Sequence, residues 1–216
     1  MSSPAPRLQF DGVTGGYGDS DVVRAMSGQV MAGEVLCVIG RNGVGKSTLL
    51  KLLFGLLPCR SGRIAFEGQA LERVEASQRR RLGLSYCPQD RSVFDGLSVR
   101  DNLTLMRADR RLDAFEPLFE RFPILKRRLG QHAGTLSGGE KKILSFARGL
   151  SEAQPLLLLD EPSEGVQWEN ILHMVDLLQA ARSHGASFVV VEQGRTALEG
   201  RRDDIDRARL LSHLHV

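Results

Sequence analysis

The chain has 216 residues, 42% of them hydrophobic and 25% charged, which gives room for one globular domain, or one domain carrying an inserted subdomain. Its formal charge of +3, from 29 Lys+Arg against 26 Asp+Glu, is too mild to argue for nucleic acid as a partner. The composition also excludes collagen-like and low-complexity classes.

Arg7 to Val13 alternates weakly and reads as an edge strand, followed by a turn at Gly15-Gly16-Tyr17-Gly18. Val35 to Ile39 is five apolar residues ending at glycine, the pattern of a buried strand. A Gly-rich loop follows, then an amphipathic helix at about Lys46 to Leu57. Ile64-Ala65-Phe66 and Leu84-Ser85-Tyr86-Cys87 read as short strands. From about 99 to 131 apolar residues recur at helical spacing, among them Leu103, Leu105, Phe115, Leu118, Phe119 and Phe122, with breaks at Pro117 and Pro123. This stretch is expected to be a helical subdomain inserted between two α/β portions. Beyond it come a helix at about Gly139 to Leu150, a strand at Leu156 to Leu159, a helix at about Trp168 to His184 and a strand at Ser187 to Val191. Strands alternating with helices predict a mostly parallel sheet covered on both faces.

Cys37, Cys59 and Cys87 lie far apart and form no metal or disulfide pattern, so free thiols are expected, with Cys37 and Cys87 packed in strands. The N-terminal residues Met1 to Pro6 lack the cationic start and apolar core of a signal peptide. No apolar run approaches the length of a membrane span, so any membrane connection is expected to pass through a partner. Small basic clusters, such as Arg79-Arg80-Arg81 and Lys126-Arg127-Arg128, read as solvated helix faces; the rival reading is a surface held near anionic headgroups.

Three motifs carry chemistry. Gly40-Arg41-Asn42-Gly43-Val44-Gly45-Lys46-Ser47 fits GxxxxGK[ST], between a strand and a helix that continues through Thr48. Glycines let backbone N–H groups wrap anionic oxygens, and the helix N-terminus adds partial positive charge. Lys46 is expected at the β- and γ-phosphates of ATP, and the Ser47 hydroxyl on Mg²⁺. Leu156 to Leu159 delivers Asp160 and Glu161 to the end of an apolar strand. Buried carboxylates call for a cation or a reaction. Asp160 suits Mg²⁺, and Glu161, expected on the other side of the strand, suits a water attacking the γ-phosphate. Third, Leu136-Ser137-Gly138-Gly139-Glu140 opens a helix and makes a second anion site. One nucleotide does not require two such sites in one chain, whereas a dimer that sandwiches it does.

The order phosphate loop, LSGGE, LLLLDEP resembles that of ABC transporter ATPases over nearly the whole chain. The resemblance implies an α/β P-loop NTPase fold of the ABC ATPase type, a mostly parallel sheet core with an N-terminal antiparallel β portion and the helical insertion. It implies that Tyr17 stacks on adenine. It further implies that Ser137, Gly138 and Gly139 cover a partner's nucleotide, and that Gln89 reaches Mg²⁺ and the attacking water and senses the permease. Finer elements, Ser92 to Val99, Ser163 to Gln167 and Val191-Glu192-Gln193, look like the second ATPase of importers for branched-chain amino acids, or for urea and short-chain amides. In that setting the partners are transmembrane permease subunits, a second ATPase subunit or a second copy, and indirectly a solute-binding protein. The place is the cytoplasmic face of a bacterial inner membrane, held peripherally. Gln193 stands where the wider family carries a switch histidine near the γ-phosphate, and a stretch of helix and short strand that usually follows is missing by family comparison. Those departures leave open a regulatory or scaffold subunit with weak turnover. A soluble ABC ATPase of translation or repair is the third reading, disfavoured because such chains usually pair two units.

Overall fold

The structure, a computed structural model, describes residues 5–90, 92–107 and 109–192. Strands β1 (Leu8–Gly15), β2 (Val23–Val30) and β3 (Val35–Ile39) lead into helix α1 (Lys46–Phe54). Then come β4 (Ser61–Phe66), β5 (Gln69–Ala70), α2 (Ala76–Leu82) and β6 (Leu84–Cys87). The helical stretch holds α3 (Val99–Thr104), α4 (Glu116–Arg121) and α5 (Pro123–Arg127). The chain then forms α6 (Gly138–Ser151), β7 (Leu156–Asp160), α7 (Trp168–Ser183) and β8 (Ser187–Glu192).

The strands form an antiparallel sheet in the order β2-β1-β4-β5 and a parallel sheet in the order β3-β8-β7-β6. Contrary to the edge-strand expectation, β1 lies between two partners, pairing with β2 on one side and β4 on the other. Leu8, Phe10 and Val13 are buried, with a register shift between Phe10 and Val13, so one-faced burial interrupted by that irregularity, rather than edge position, explains the weak alternation. Strand β2 escaped prediction because only its two end residues, Val23 and Val30, are buried.

The parallel sheet separates two apolar clusters, and side-chain alternation assigns its residues to them. Leu156, Leu158, Val189 and Val191 face α1 and the antiparallel sheet. Leu157, Leu159, Phe188 and Val190 face α6, α7 and the helical stretch, whose Phe122 meets Phe146 of α6 edge-to-face with centroids 6.5 Å apart. The helical stretch thus shares its core with α6 rather than enclosing one of its own. Among the described residues, no helix is long and apolar enough to cross a membrane.

Helix α1 stops at Phe54, three residues short of the expected end, where Gly55 turns the backbone left-handed. Arg79 completes that end. It is 2% exposed, which overturns the solvated-face reading for this member of the Arg79-Arg80-Arg81 cluster. Its guanidinium donates to the Leu52 and Leu53 carbonyls at 2.9 and 2.8 Å, to Val74 at 2.8 Å and to Leu71 at 2.5 Å. The Leu53 carbonyl is one that the last helical turn leaves without an internal partner, while the Leu52 carbonyl also accepts from the Gly55 N–H at 3.1 Å. Arg79→Leu keeps the apolar stem and removes the donors, so it should cost about 3 kcal/mol of stability, read by urea unfolding.

Cys37 and Cys87 are buried, as expected, and burial pushes both thiols up to about 12. At pH 8 roughly one in ten thousand of either is thiolate, the reactive form. A disulfide reagent should therefore modify only Cys59, which is partly exposed, in the native protein. All three should react in denaturant; fast native labelling of Cys37 or Cys87 would contradict the burial.

Candidate active site

The parallel strands deliver their carboxyl ends to one edge, and the motif residues converge there. Strand β3 ends at Ile39, and the loop from Gly40 to Gly45 turns the chain into α1. Ile39 is 45% exposed, so β3 is less buried at this end than its apolar run predicts. Gly45 takes φ +100°, and a side chain there would press on Val22 at 3.1 Å. Arg41, Asn42, Gly43 and Val44 are exposed, leaving the loop open to solvent, while Lys46 and Thr48 are buried behind it.

The three protons of the Lys46 ammonium have three acceptors. It donates to the carbonyls of Gly40 and Arg41 at 2.9 and 3.1 Å and lies 3.3 Å from Oε1 of Glu161. The Lys46 and Glu161 side chains are only 4% and 5% exposed. Ser47 donates to Oδ1 of Asp160 at 2.8 Å, and the Tyr86 hydroxyl donates to Oδ2 at 2.9 Å. Burial holds the Asp160 carboxyl above the usual carboxylate range, partly offset by those two hydrogen bonds. Burial, chiefly, and the neighbouring Asp160 push the Tyr86 phenol upward.

Asp160 and Glu161 face different partners, as expected, although strand alternation alone does not account for it. Asp160 is the last residue of β7, and Glu161 lies beyond it with φ +46°, a left-handed turn that swings its side chain towards Lys46. The Glu161 N–H donates to the Val191 carbonyl of β8 at 2.9 Å, and Lys142 donates to the Glu161 carbonyl at 3.1 Å. Gln89 joins this group: its amide donates to Oε2 of Glu161 at 3.0 Å and to Glu164 at 3.1 Å. The Gln89 amide is thus directed to the carboxylates rather than to Ser47 and Asp160, the pair suited to a metal.

Ser47 and Asp160 fit a small hard cation, since both offer oxygen and already touch. No cluster of three His, Cys, Asp or Glu capable of holding a metal occurs among the described residues, so a cation here would draw further oxygens from phosphate.

Tyr17 stands apart from this cluster beside α1. It is 49% exposed, with its hydroxyl accepting from Lys51 at 3.1 Å. Ser137 caps α6 in a reciprocal box with Glu140: the Ser137 N–H donates to the Glu140 carboxylate at 2.9 Å, and the Glu140 N–H to the Ser137 hydroxyl at 3.3 Å. A side chain at Gly139 would strike the Gly165 carbonyl at 2.6 Å, so this helix start requires glycine to pack on the loop after β7. An open cleft of about 830 Å³ adjoins Ser137, Gly138, Gly139, Glu164 and Asn170. Ser137 makes no hydrogen bond or ion pair to the phosphate loop among the described residues. Gln193 lies outside those residues, although β8, which leads to it, does pair with β7 as expected.

Sequence reading missed Tyr86, Lys142 and Glu164. The alternation of β6 could have flagged Tyr86, which shares a strand face with Leu84. Nothing local pointed to Lys142, whose partners lie beyond the next strand.

A family model described as "ABC transporter" matches residues 23–164. The chain belongs to the ABC transporter family. It is an ATPase of that family and binds nucleotide; such subunits dimerise and work with transmembrane permease components. The chain is 35% identical over 213 residues to the high-affinity branched-chain amino acid transport ATP-binding protein BraG of Pseudomonas aeruginosa, covering 95% of this chain and 91% of that one. It is 31% identical over 185 residues to the lipopolysaccharide export system ATP-binding protein LptB of Escherichia coli K12, covering 82% and 76%. Among solved structures, an ATP-binding subunit of an ABC transporter superposes with a TM-score of 0.77 at 26% identity, covering 88% of this chain and 81% of that one.

Proposed function

We propose that this chain energises an importer, for branched-chain amino acids or for urea and short-chain amides, from the cytoplasmic face of a bacterial inner membrane. The observation that carries the catalytic part is the buried Lys46–Glu161 pair beside Ser47–Asp160 at the sheet's carboxyl edge. In the free protein Lys46 is committed to Glu161 and two carbonyls. An arriving γ-phosphate competes for the ammonium and releases the Glu161 carboxylate, which then accepts a proton from the attacking water or orients it. Gln89, already bonded to Glu161, holds the carboxylate towards the phosphate. Ser47 and Asp160 would hold Mg²⁺, which would supply charge neutralisation to the bound nucleotide. Tyr17 offers an exposed ring for adenine.

Ser137, Gly138 and Gly139 make no hydrogen bond to the phosphate loop among the described residues and open onto a cleft, which suits a partner's nucleotide. The partner is a related ATPase or a second copy, and the permease contacts the surface near Gln89 and the helical stretch. A solute-binding protein acts upstream of the permease.

Identity over nearly the full length of a branched-chain amino acid transport subunit favours import. The export-system relative matches less of the chain at lower identity and supports a second reading. Purification from membranes with identification of the attached permease separates them. An amino-acid or amide permease supports import; a lipid-export permease, or none, overturns it.

A further inference from the structure

Glu161 occupies a left-handed backbone conformation that is unfavourable for a non-glycine residue, so the surrounding structure must hold it there. Hydrogen bonds to its main chain do so: its N–H is anchored on β8 through Val191, and its carbonyl accepts from the Glu164 N–H at 3.3 Å and, from another element, the Lys142 ammonium at 3.1 Å. Lys142 is no surface lysine: its side chain is 13% exposed, and its ammonium lies 3.6 Å from the Glu164 carboxylate. Glu164 in turn accepts from Gln89, the residue that also holds the Glu161 carboxylate. A desolvated ammonium bonded to a carbonyl is a charge-assisted contact, roughly twice as strong as a neutral one.

Lys142 sits in the first turns of α6, the helix that Ser137 and Gly138 begin. The same rigid element therefore carries the cleft-facing N-terminus and the cation that fixes the Glu161 backbone. We propose that Lys142 is a positioning residue that holds the Glu161 peptide in its left-handed turn, and so ties the orientation of the hydrolytic carboxylate to the placement of the α6 N-terminus. The proposal rests on the reading of Glu161 as the group that handles the attacking water. Lys142 bonds the Glu161 carbonyl and not its carboxylate, so it acts through the placement of Glu161. Once ATP has drawn Lys46 away, Lys142 still holds the carbonyl of that residue and Gln89 its carboxylate.

The test is steady-state hydrolysis by the full chain carrying Lys142→Met, which keeps the apolar stem and removes the cation. The expected result is a fall in kcat of about tenfold or more, because small misplacements of a catalytic group are costly. KM for ATP should stay within about twofold, because the phosphate loop is untouched. Lys142→Arg should restore most of kcat, since it keeps a cation of similar reach. On a Glu161→Gln background, Lys142→Met should cause no further loss, as expected for two groups acting as one unit. Should the methionine variant fail to fold, Lys142→Gln takes its place, its shorter neutral arm predicting the same loss. Unchanged kcat beside an inactive Glu161→Gln protein would overturn the positioning role alone. So would a loss additive with Glu161→Gln, or one shared equally between kcat and KM. Full turnover by Glu161→Gln would remove the reading of Glu161 itself, and this proposal with it.

Discussion

Glu161→Gln is expected to stop ATP hydrolysis while leaving ATP bound. Glutamine keeps the size of the side chain and can still accept the Gln89 hydrogen bond now found at 3.0 Å. It cannot take a proton from water or carry the charge that orients one. General acid–base groups contribute about 10² to 10⁴ in rate, so turnover should fall by at least about a hundredfold. The change also discharges the carboxylate that Lys46 faces in the free protein, at 3.3 Å. That frees the ammonium for phosphate, so ATP affinity should hold or rise. Nucleotide titration and turnover on one preparation check both halves. Residual turnover above about a tenth of the parent rate would remove Glu161 from the catalytic role.

Lys46→Ala is the second large effect, and it acts on binding. The ammonium is the full positive charge buried behind the phosphate loop, and charge-assisted bonds of this kind contribute about 2 kcal/mol or more. ATP affinity should fall about thirtyfold. The same substitution takes the cation from a carboxylate that is 5% exposed, so the free protein should also unfold at lower temperature. A thermal scan of the free protein, paired with the titration, separates the two. Unchanged affinity in a folded Lys46→Ala protein would refute the site.

The residues with chemistry were legible because their patterns are local. A phosphate loop between strand and helix, two acids closing an apolar strand, and serine-glycine-glycine opening a helix are each written in consecutive residues. The strands β7 and β8 were legible for a similar reason: buried on both faces, they read as unbroken apolar runs. What escaped depends on distant partners. Strand β2 shows no alternation because its middle faces solvent, and β1 read as an edge because a sequence does not say how many strands lie beside it. Arg79 looked solvated within a basic run, although the end of α1, more than twenty residues earlier, supplies its acceptors. The left-handed turn at Glu161 was invisible for the opposite reason: a bulky acid there is locally disfavoured, and the contacts from Lys142 and β8 override that preference. Local rules fail most where function gathers, and here the exception falls on the residue assigned to the water.

The most direct test of the account is hydrolysis by the membrane complex reconstituted in vesicles, with its solute-binding protein and branched-chain amino acid or amide supplied on the outer side. The account predicts that solute stimulates turnover, that solute accumulates inside only with ATP, and that Glu161→Gln abolishes both. Turnover indifferent to external solute, or net movement of substrate outward, would contradict it.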